Sequence, residues 1–124
     1  PSKINGCDLN RALLSEGCII SGHRILRSII GVRAKVGEGS VIEHTVMMGA
    51  DYYDKKDLPA GEIPMGVGRD CFIRNAIIDK NARIGDGCYI TPEGKNDVVT
   101  DLYTVQDGVI VIPKKTVIPP GTRI

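Results

Sequence analysis

The sequence predicts an all-β fold, a parallel β-helix in which hexapeptide repeats wind the chain into a three-sided coil. Three observations predict it: aliphatic residues recur every five or six positions, small residues precede most of them by two positions, and several are followed directly by glycine. An α-helix requires apolar spacings of three and four, and a half-buried strand requires alternation by two. A period of six fits neither, whereas it matches one side of a hexapeptide-repeat coil.

The aliphatic residues at this period, called anchors below, run through three blocks of the sequence. Within residues 77–90, Ile78, Ile84 and Ile90 follow one another at intervals of six. We expect the anchors to fill the interior of the coil, and a full turn of about eighteen residues to add about 4.8 Å of sheet. The anchors are Leu9, Leu14, Ile20, Ile25, Ile30, Val36, Ile42, Met47, Val67, Ile73, Ile78, Ile84, Ile90, Ile112, Ile118 and Ile124.

Small residues mark the position two before the anchors. Ala, Cys, Ser and Thr make up only 21 of the 124 residues, yet they fill 13 of these 16 positions, so composition alone does not explain the pattern. The exceptions are His23, Met65 and Ile110. Every cysteine lies at such a position, and no spacing typical of zinc ligands is present, so we interpret the cysteines as buried, reduced packing residues. The cysteines are Cys7, Cys18, Cys71 and Cys88.

Glycine directly follows four anchors, at Gly31, Gly37, Gly68 and Gly85. We expect these residues to form corners, where the chain turns tightly and a Cβ atom would clash. Stacked coils place like residues above like, so almost all contacts of an anchor should be with the neighbouring turns.

The composition predicts one domain over residues 1–124 without a nucleic-acid or membrane partner. The chain is 42% hydrophobic and 25% charged, enough for one modest core. Its net charge is +1 and it has no run of like charges. The longest aliphatic run, residues 109–112, is too short to span a bilayer, and the N-terminus does not resemble a signal sequence. We therefore expect a location in the cytoplasm or inside an organelle.

Two polar segments interrupt the repeat, at residues 50–66 and 91–107. Both contain Gly or Pro and are about one turn long. Insertions in solenoids usually leave as loops on one face, where binding often takes place, so these loops either bind a ligand or serve as surface contacts with another chain. The repeat starts within nine residues of Pro1 and ends on Ile124 without a recognisable cap, so we expect a fragment of a larger protein, cut upstream of Pro1.

Three long stretches resemble the C-terminal region of glucose-1-phosphate adenylyltransferase, also called ADP-glucose pyrophosphorylase, of the plant and cyanobacterial type. They begin at "SEGCIISGHRIL", "IPMGVGRDCFIR" and "DGVIVIPKKTVI", and they contain "MGADYY" and "AIIDKNARIGD", which the repeat alone does not dictate. The resemblance implies a left-handed coil and a homo- or hetero-tetramer in the cytoplasm, or in the plastid for a plant protein.

The family makes ADP-glucose and pyrophosphate from ATP and glucose 1-phosphate with Mg²⁺, for glycogen or starch synthesis. In the family, catalysis belongs to an N-terminal nucleotidyltransferase domain with a Gly-rich nucleotide loop, and no segment of this chain matches it. The resemblance therefore implies that this chain has no catalytic residue, metal site or cofactor of its own. It implies instead a regulatory and assembly domain that contacts its own N-terminal catalytic domain.

The resemblance also implies an allosteric site for phosphate or a phosphorylated effector such as 3-phosphoglycerate or fructose bisphosphate. The lysine of "IIDKNARIG" is one effector contact of the family, and here it is Lys80. A second contact precedes "IPxG" in the last coil and aligns with Lys114, although the adjacent Lys115 can take the same role. An outward lysine on a rigid coil is a point cation for phosphate or carboxylate, and Arg33 or Arg83 can add a bidentate contact.

Asp79 precedes Lys80, and we expect it to orient that lysine or to cap a corner. From the residues alone, all these side chains also fit ordinary solvated charges.

Two other functions suit the same fold. Hexapeptide coils form the scaffold of acyltransferases in which a histidine acts as general base, and His23 and His44 are the candidates here. His44 is expected to face outward from a strand, whereas His23 occupies a small-residue position and must turn outward where consecutive steps of five open the corner. The other alternative is a purely structural assembly module.

Overall fold

The computed structural model describes residues 1–124 as a stack of coils whose sides form three sheets, A, B and C. Sheet A contains β1 (Lys3–Ile4), β4 (Ile19–Ile20), β7 (Lys35–Val36), β10 (Gly66–Val67), β13 (Arg83–Ile84) and β18 (Val117–Ile118). Sheet B contains β2 (Asp8–Asn10), β5 (Arg24–Leu26), β8 (Val41–Glu43), β11 (Phe72–Arg74) and β14 (Tyr89–Ile90). Sheet C contains β3 (Leu13–Leu14), β6 (Ile29–Ile30), β9 (Val46–Met47), β12 (Ala76–Ile78) and β17 (Val109–Ile112), followed outward by β16 (Thr104–Gln106) and β15 (Val98–Val99).

The coils are shorter than the predicted eighteen residues. Ile4 pairs in parallel with Ile20, sixteen residues later, and Val67 pairs with Ile84, seventeen residues later. The difference arises mainly at the corner between sheets B and C, where the step between anchors is five residues, as from Ile73 to Ile78. The chain contains no helix long and apolar enough to cross a membrane.

The anchors fill the interior of the coil, which confirms the central prediction. Ile78, Ile84 and Ile90 expose 3%, 1% and 0% of their surface. Leu9 and Leu14 are the exceptions, since Leu9 is 36% exposed and Leu14 is only partly buried. They lie in the first coil, which has a neighbouring coil on one side only, so part of their surface stays uncovered.

Some of the small side chains two positions before the anchors also form hydrogen bonds to the neighbouring coil. Ser40 Oγ donates a hydrogen bond to the carbonyl of Gly68 at 2.7 Å, and Cys71 Sγ donates to the carbonyl of Gly85 at 3.2 Å. At Ser40 and Cys71 the side chain is therefore both small and able to donate, whereas Ala34, Ala76 and Ala82 meet only the size requirement. Cys18, Cys71 and Cys88 are buried, and burial raises the pKa of the Cys71 thiol. All four cysteines are free thiols, but the prediction that all are buried is wrong for Cys7, which is only partly buried in the first coil.

Glycines after the anchors allow the backbones of neighbouring coils to touch. A Cβ on Gly37 would lie 2.6 Å from the backbone of Gly68, and one on Gly85 would lie 2.6 Å from the nitrogen of Pro120. The predicted clash is confirmed. The left-handed backbone of the turn lies two residues further on, for example at Gly39 with φ of 77°.

The two interruptions leave the coil at different corners, which departs from the usual solenoid pattern of insertions on one face. The first insertion, residues 48–65, connects β9 of sheet C to β10 of sheet A and contains no strand. The second insertion, residues 91–108, connects β14 of sheet B to β17 of sheet C. It is not simply a polar loop, because β15 and β16 pair antiparallel within it and extend sheet C.

Candidate functional site

Lys80 and Lys114 lie at the corner between sheets C and A, at equivalent positions in neighbouring coils. Ile78 pairs with Ile112, and each lysine follows its anchor by two residues. Strand spacing therefore separates the two backbone positions by about 4.8 Å. The backbone N–H of Lys115 donates to the carbonyl of Lys80 at 3.0 Å, which joins the two coils at this point. Lys114 and Lys115 are exposed, and Lys80 is partly exposed.

Three residues after the anchor, the backbone at this corner has a positive φ, in the left-handed region of the Ramachandran plot. Arg33, Asn81 and Lys115 occupy this position, with φ of 55°, 63° and 62°. Arg33 Nε donates to the carbonyl of Ala50 at 2.8 Å, so this guanidinium is attached to the start of the first insertion. The structure therefore brings Arg33, Lys80, Lys114 and Lys115 to one corner of the coil.

Two carboxylates also belong to this corner. Asp79 Oδ1 accepts a hydrogen bond of 2.6 Å from the backbone N–H of Lys80, so Asp79 caps the corner, which was one of its two expected roles. Asp51 Oδ1 accepts a hydrogen bond of 3.1 Å from Lys80 Nζ. Hydrogen bonds from Lys80 and Asn81, together with the charges of Lys80 and Lys114, lower the pKa of Asp51.

Arg83 is placed differently from the corner cations. It lies on sheet A, where its two terminal nitrogens donate to Asp54 at 2.7 Å and 3.2 Å, and one also donates to the carbonyl of Ile63 at 3.0 Å. Burial alone would raise the pKa of Asp54, but hydrogen bonds from Arg83 and the backbone of Met65 outweigh it and lower that pKa. The Asp54 hydrogen bond correspondingly raises the pKa of Arg83. Arg83 thus attaches the first insertion to the coil.

The two histidines lie at different corners of the coil. His23 is exposed between β4 and β5, so its side chain turns outward as expected at the consecutive five-residue steps. His44 is also exposed, but it follows β8 in a left-handed turn with φ of 48° rather than lying on a strand as expected. Neither imidazole makes a hydrogen bond.

Chemically, the corner between sheets C and A suits the binding of an anion. It presents ammonium groups from adjacent coils, and one of them already holds a carboxylate oxygen. Sequence reasoning missed Asp51 and Asn81, which complete this corner, and Asp54, which pairs with Arg83. Asp51 lies within "MGADYY", and Asn81 directly follows Lys80, but neither segment indicates by itself that the two residues meet.

Comparison with known proteins identifies the family. The model of the GLGC left-handed parallel β-helix domain matches residues 1–123. The small subunit of glucose-1-phosphate adenylyltransferase from Triticum aestivum, a chloroplastic or amyloplastic protein, is 41% identical over 134 aligned positions, which cover 100% of this chain and 28% of that protein. The match lies in its C-terminal region, so the predicted resemblance and the all-β, left-handed coil are confirmed. The chain belongs to the family of GLGC left-handed parallel β-helix domains.

Proposed function

We propose that this chain is the C-terminal regulatory and assembly domain of a glucose-1-phosphate adenylyltransferase, and that it binds an anionic effector at Lys80 and Lys114. In this proposal the ATP, glucose 1-phosphate and Mg²⁺ chemistry belongs to an N-terminal nucleotidyltransferase domain. The chain spans about a quarter of the length of its wheat relative, so the activity of the whole enzyme is part of the proposal.

The equivalence of Lys80 and Lys114 carries the regulatory part of the proposal. The pairing of Ile78 with Ile112 places the two lysines one coil apart on a rigid stack. Two ammonium groups at this separation can share one phosphate group, and each serves as a point charge. The salt bridge between Lys80 and Asp51 supports the proposal further, because it shows an anionic oxygen within bonding distance at this corner.

The outer face of sheet C supports the assembly part. The strand register places four aliphatic residues in one column on this face: Leu13, Ile29, Val46 and Ile77. They are 68%, 47%, 37% and 37% exposed. A contiguous apolar column of this kind is typical of a contact with another domain or subunit. We assign it to assembly of a homo- or hetero-tetramer or to contact with the catalytic domain.

The effector site is tested in the full-length enzyme with Lys80→Ala and Lys114→Ala combined. We expect the concentration of phosphate or phosphorylated sugar that gives half of the maximal response to rise at least about tenfold, because two charge-assisted contacts are lost. Activity without effector should change little. The matched control is Lys56→Ala combined with Lys95→Ala, since both lysines lie in the insertions and form no salt bridge. An undiminished response in the Lys80 and Lys114 variant would leave only the assembly role.

A further inference from the structure

Asp51 occupies the position at which an anion would meet Lys80. Its Oδ1 atom lies 3.1 Å from Lys80 Nζ, and both side chains are about 40% exposed, 42% for Asp51 and 39% for Lys80. An ion pair with this exposure is weak, because water solvates both charges well. A stronger anion can therefore take the place of the carboxylate.

Asn81 holds Asp51 in this orientation. The backbone N–H of Asp51 donates to Asn81 Oδ1 at 2.9 Å, and Asn81 Nδ2 donates to Asp51 Oδ2 at 3.0 Å. Asn81 is only 4% exposed, so its side chain is fixed by its surroundings. One oxygen of Asp51 is thus occupied by Asn81, whereas the other faces Lys80. The carboxylate is oriented towards the ammonium group before any ligand binds.

We propose that Asp51 is a built-in competitor for the effector: its carboxylate holds Lys80 in the free protein and must release the ammonium group when an anion binds. This inference rests on the proposed effector site at Lys80 and Lys114. Asp51 belongs to the first insertion, residues 48–65, so anion binding weakens the attachment of this insertion to the corner. By linkage, any change that loosens the insertion strengthens anion binding.

The competition also defines the class of ligand. A free monocarboxylate that contacts only Lys80 replaces Asp51 with an equivalent group, and the tethered group has the advantage of a high effective concentration. A compact dianion can contact Lys80 and Lys114 together, and Asp51 holds only the first of these through a hydrogen bond. The corner therefore selects phosphate groups over single carboxylates.

The test is a titration of inorganic phosphate into the wild-type chain and Asp51→Asn, followed through the backbone amide resonances of residues 79–82 and 113–116. We expect Asp51→Asn to bind phosphate about three- to tenfold more tightly, because a competing exposed charge pair is removed. The control is Asp57→Asn, an exposed carboxylate of the same insertion without a salt bridge, and we expect less than a twofold change. In the wild type, phosphate should also speed hydrogen exchange at the backbone N–H of Asp51.

The outcomes separate this inference from the proposed function. If Lys80→Ala with Lys114→Ala abolishes phosphate binding but Asp51→Asn binds no more tightly than wild type, the effector site stands and the competition is refuted. Phosphate binding by Asp51→Asn alone, at concentrations where wild type shows none, supports both. If neither protein binds phosphate, the effector site and the competition by Asp51 both fail, and only the assembly role remains.

Discussion

The two insertions are attached to the coil by different kinds of interaction. The first insertion, residues 48–65, has no strand and is held mainly by side chains: Asp51 contacts Asn81 and Lys80, Asp54 contacts Arg83, and Tyr53 Oη donates to the carbonyl of Gly17 at 2.8 Å. The second insertion, residues 91–108, is held by backbone hydrogen bonds, because β16 pairs with β17 and β15 pairs with β16.

The two kinds of attachment differ in how strongly they respond to solution conditions. Contacts between charged side chains respond to pH, salt and competing ions, whereas backbone ladders respond little to any of them. Val105 of β16 is 1% exposed and belongs to the hydrophobic core, so the second insertion is part of the folded core. The first insertion is therefore the part of the chain whose attachment depends on pH, salt and competing ions.

Removal of the Arg83 guanidinium should have the largest effect. Arg83→Met keeps the apolar stem but leaves the Asp54 carboxylate, whose side chain is 10% exposed, without its partner. We expect a loss of about 3 kcal/mol in the free energy of unfolding, measured with urea. Proteolysis within residues 48–65 should become faster. Arg69→Met, at an exposed arginine without a salt bridge, should change stability by less than about 0.5 kcal/mol. Equal proteolysis in the two variants would contradict the assigned role of Arg83.

Truncation of Val105 should have a smaller effect and should act on the other insertion. Val105→Ala removes two buried methyl groups, so we expect a loss of about 2 kcal/mol in urea unfolding. Hydrogen exchange should accelerate in β15 and β16 but not in residues 48–65. Val99→Ala is the control, because Val99 is 81% exposed and its truncation should cost little. Faster exchange in the first insertion would show that the two insertions are coupled.

Low pH should produce the smallest effect. It should weaken the attachment of the first insertion, not that of the second, and leave the packing of the core unchanged. The pKa of Asp54 lies below its ordinary value of 3.8 in the folded chain, so its stabilising contribution is complete above that value and is lost as pH falls through the folded pKa. We expect the melting temperature of Asp54→Asn to fall less than that of wild type between about pH 7 and pH 2.5. Val105→Ala should show the same pH dependence as wild type. A parallel decline in all three proteins would contradict the side-chain attachment of the first insertion.

The regular part of the coil could be predicted from the sequence because each anchor contacts mainly its counterparts in neighbouring turns. The five-residue steps appear in the sequence, but their effect on coil length depends on how each corner closes. The left-handed position three residues before an anchor carries a readable signal at Gly39, Asn81 and Gly87, since Gly and Asn tolerate positive φ. At Arg33 the sequence gives no such signal, because arginine is uncommon at positive φ.

The corner cations were within reach of sequence reasoning, whereas their carboxylate partners were not. Lys80 and Lys114 were predicted from the family resemblance, and each follows an anchor by two residues, so the pairing of Ile78 with Ile112 places them in register. Asp51 and Asp54 lie in an insertion, where no periodicity fixes the path of the chain. Their contacts depend on how that segment folds back over the corner, and this is decided by tertiary packing.

The left-handed corner has a consequence for how such domains diversify. The corners after β6, β12 and β17 place Arg33, Asn81 and Lys115 on the same backbone shape, so the scaffold accepts a guanidinium, an amide or an ammonium group there without altering its path. Exchanging the residue at this position can therefore change the charge along this edge while the aliphatic interior stays the same. Domains built on this coil can differ in the charge of this corner in this way, one turn at a time.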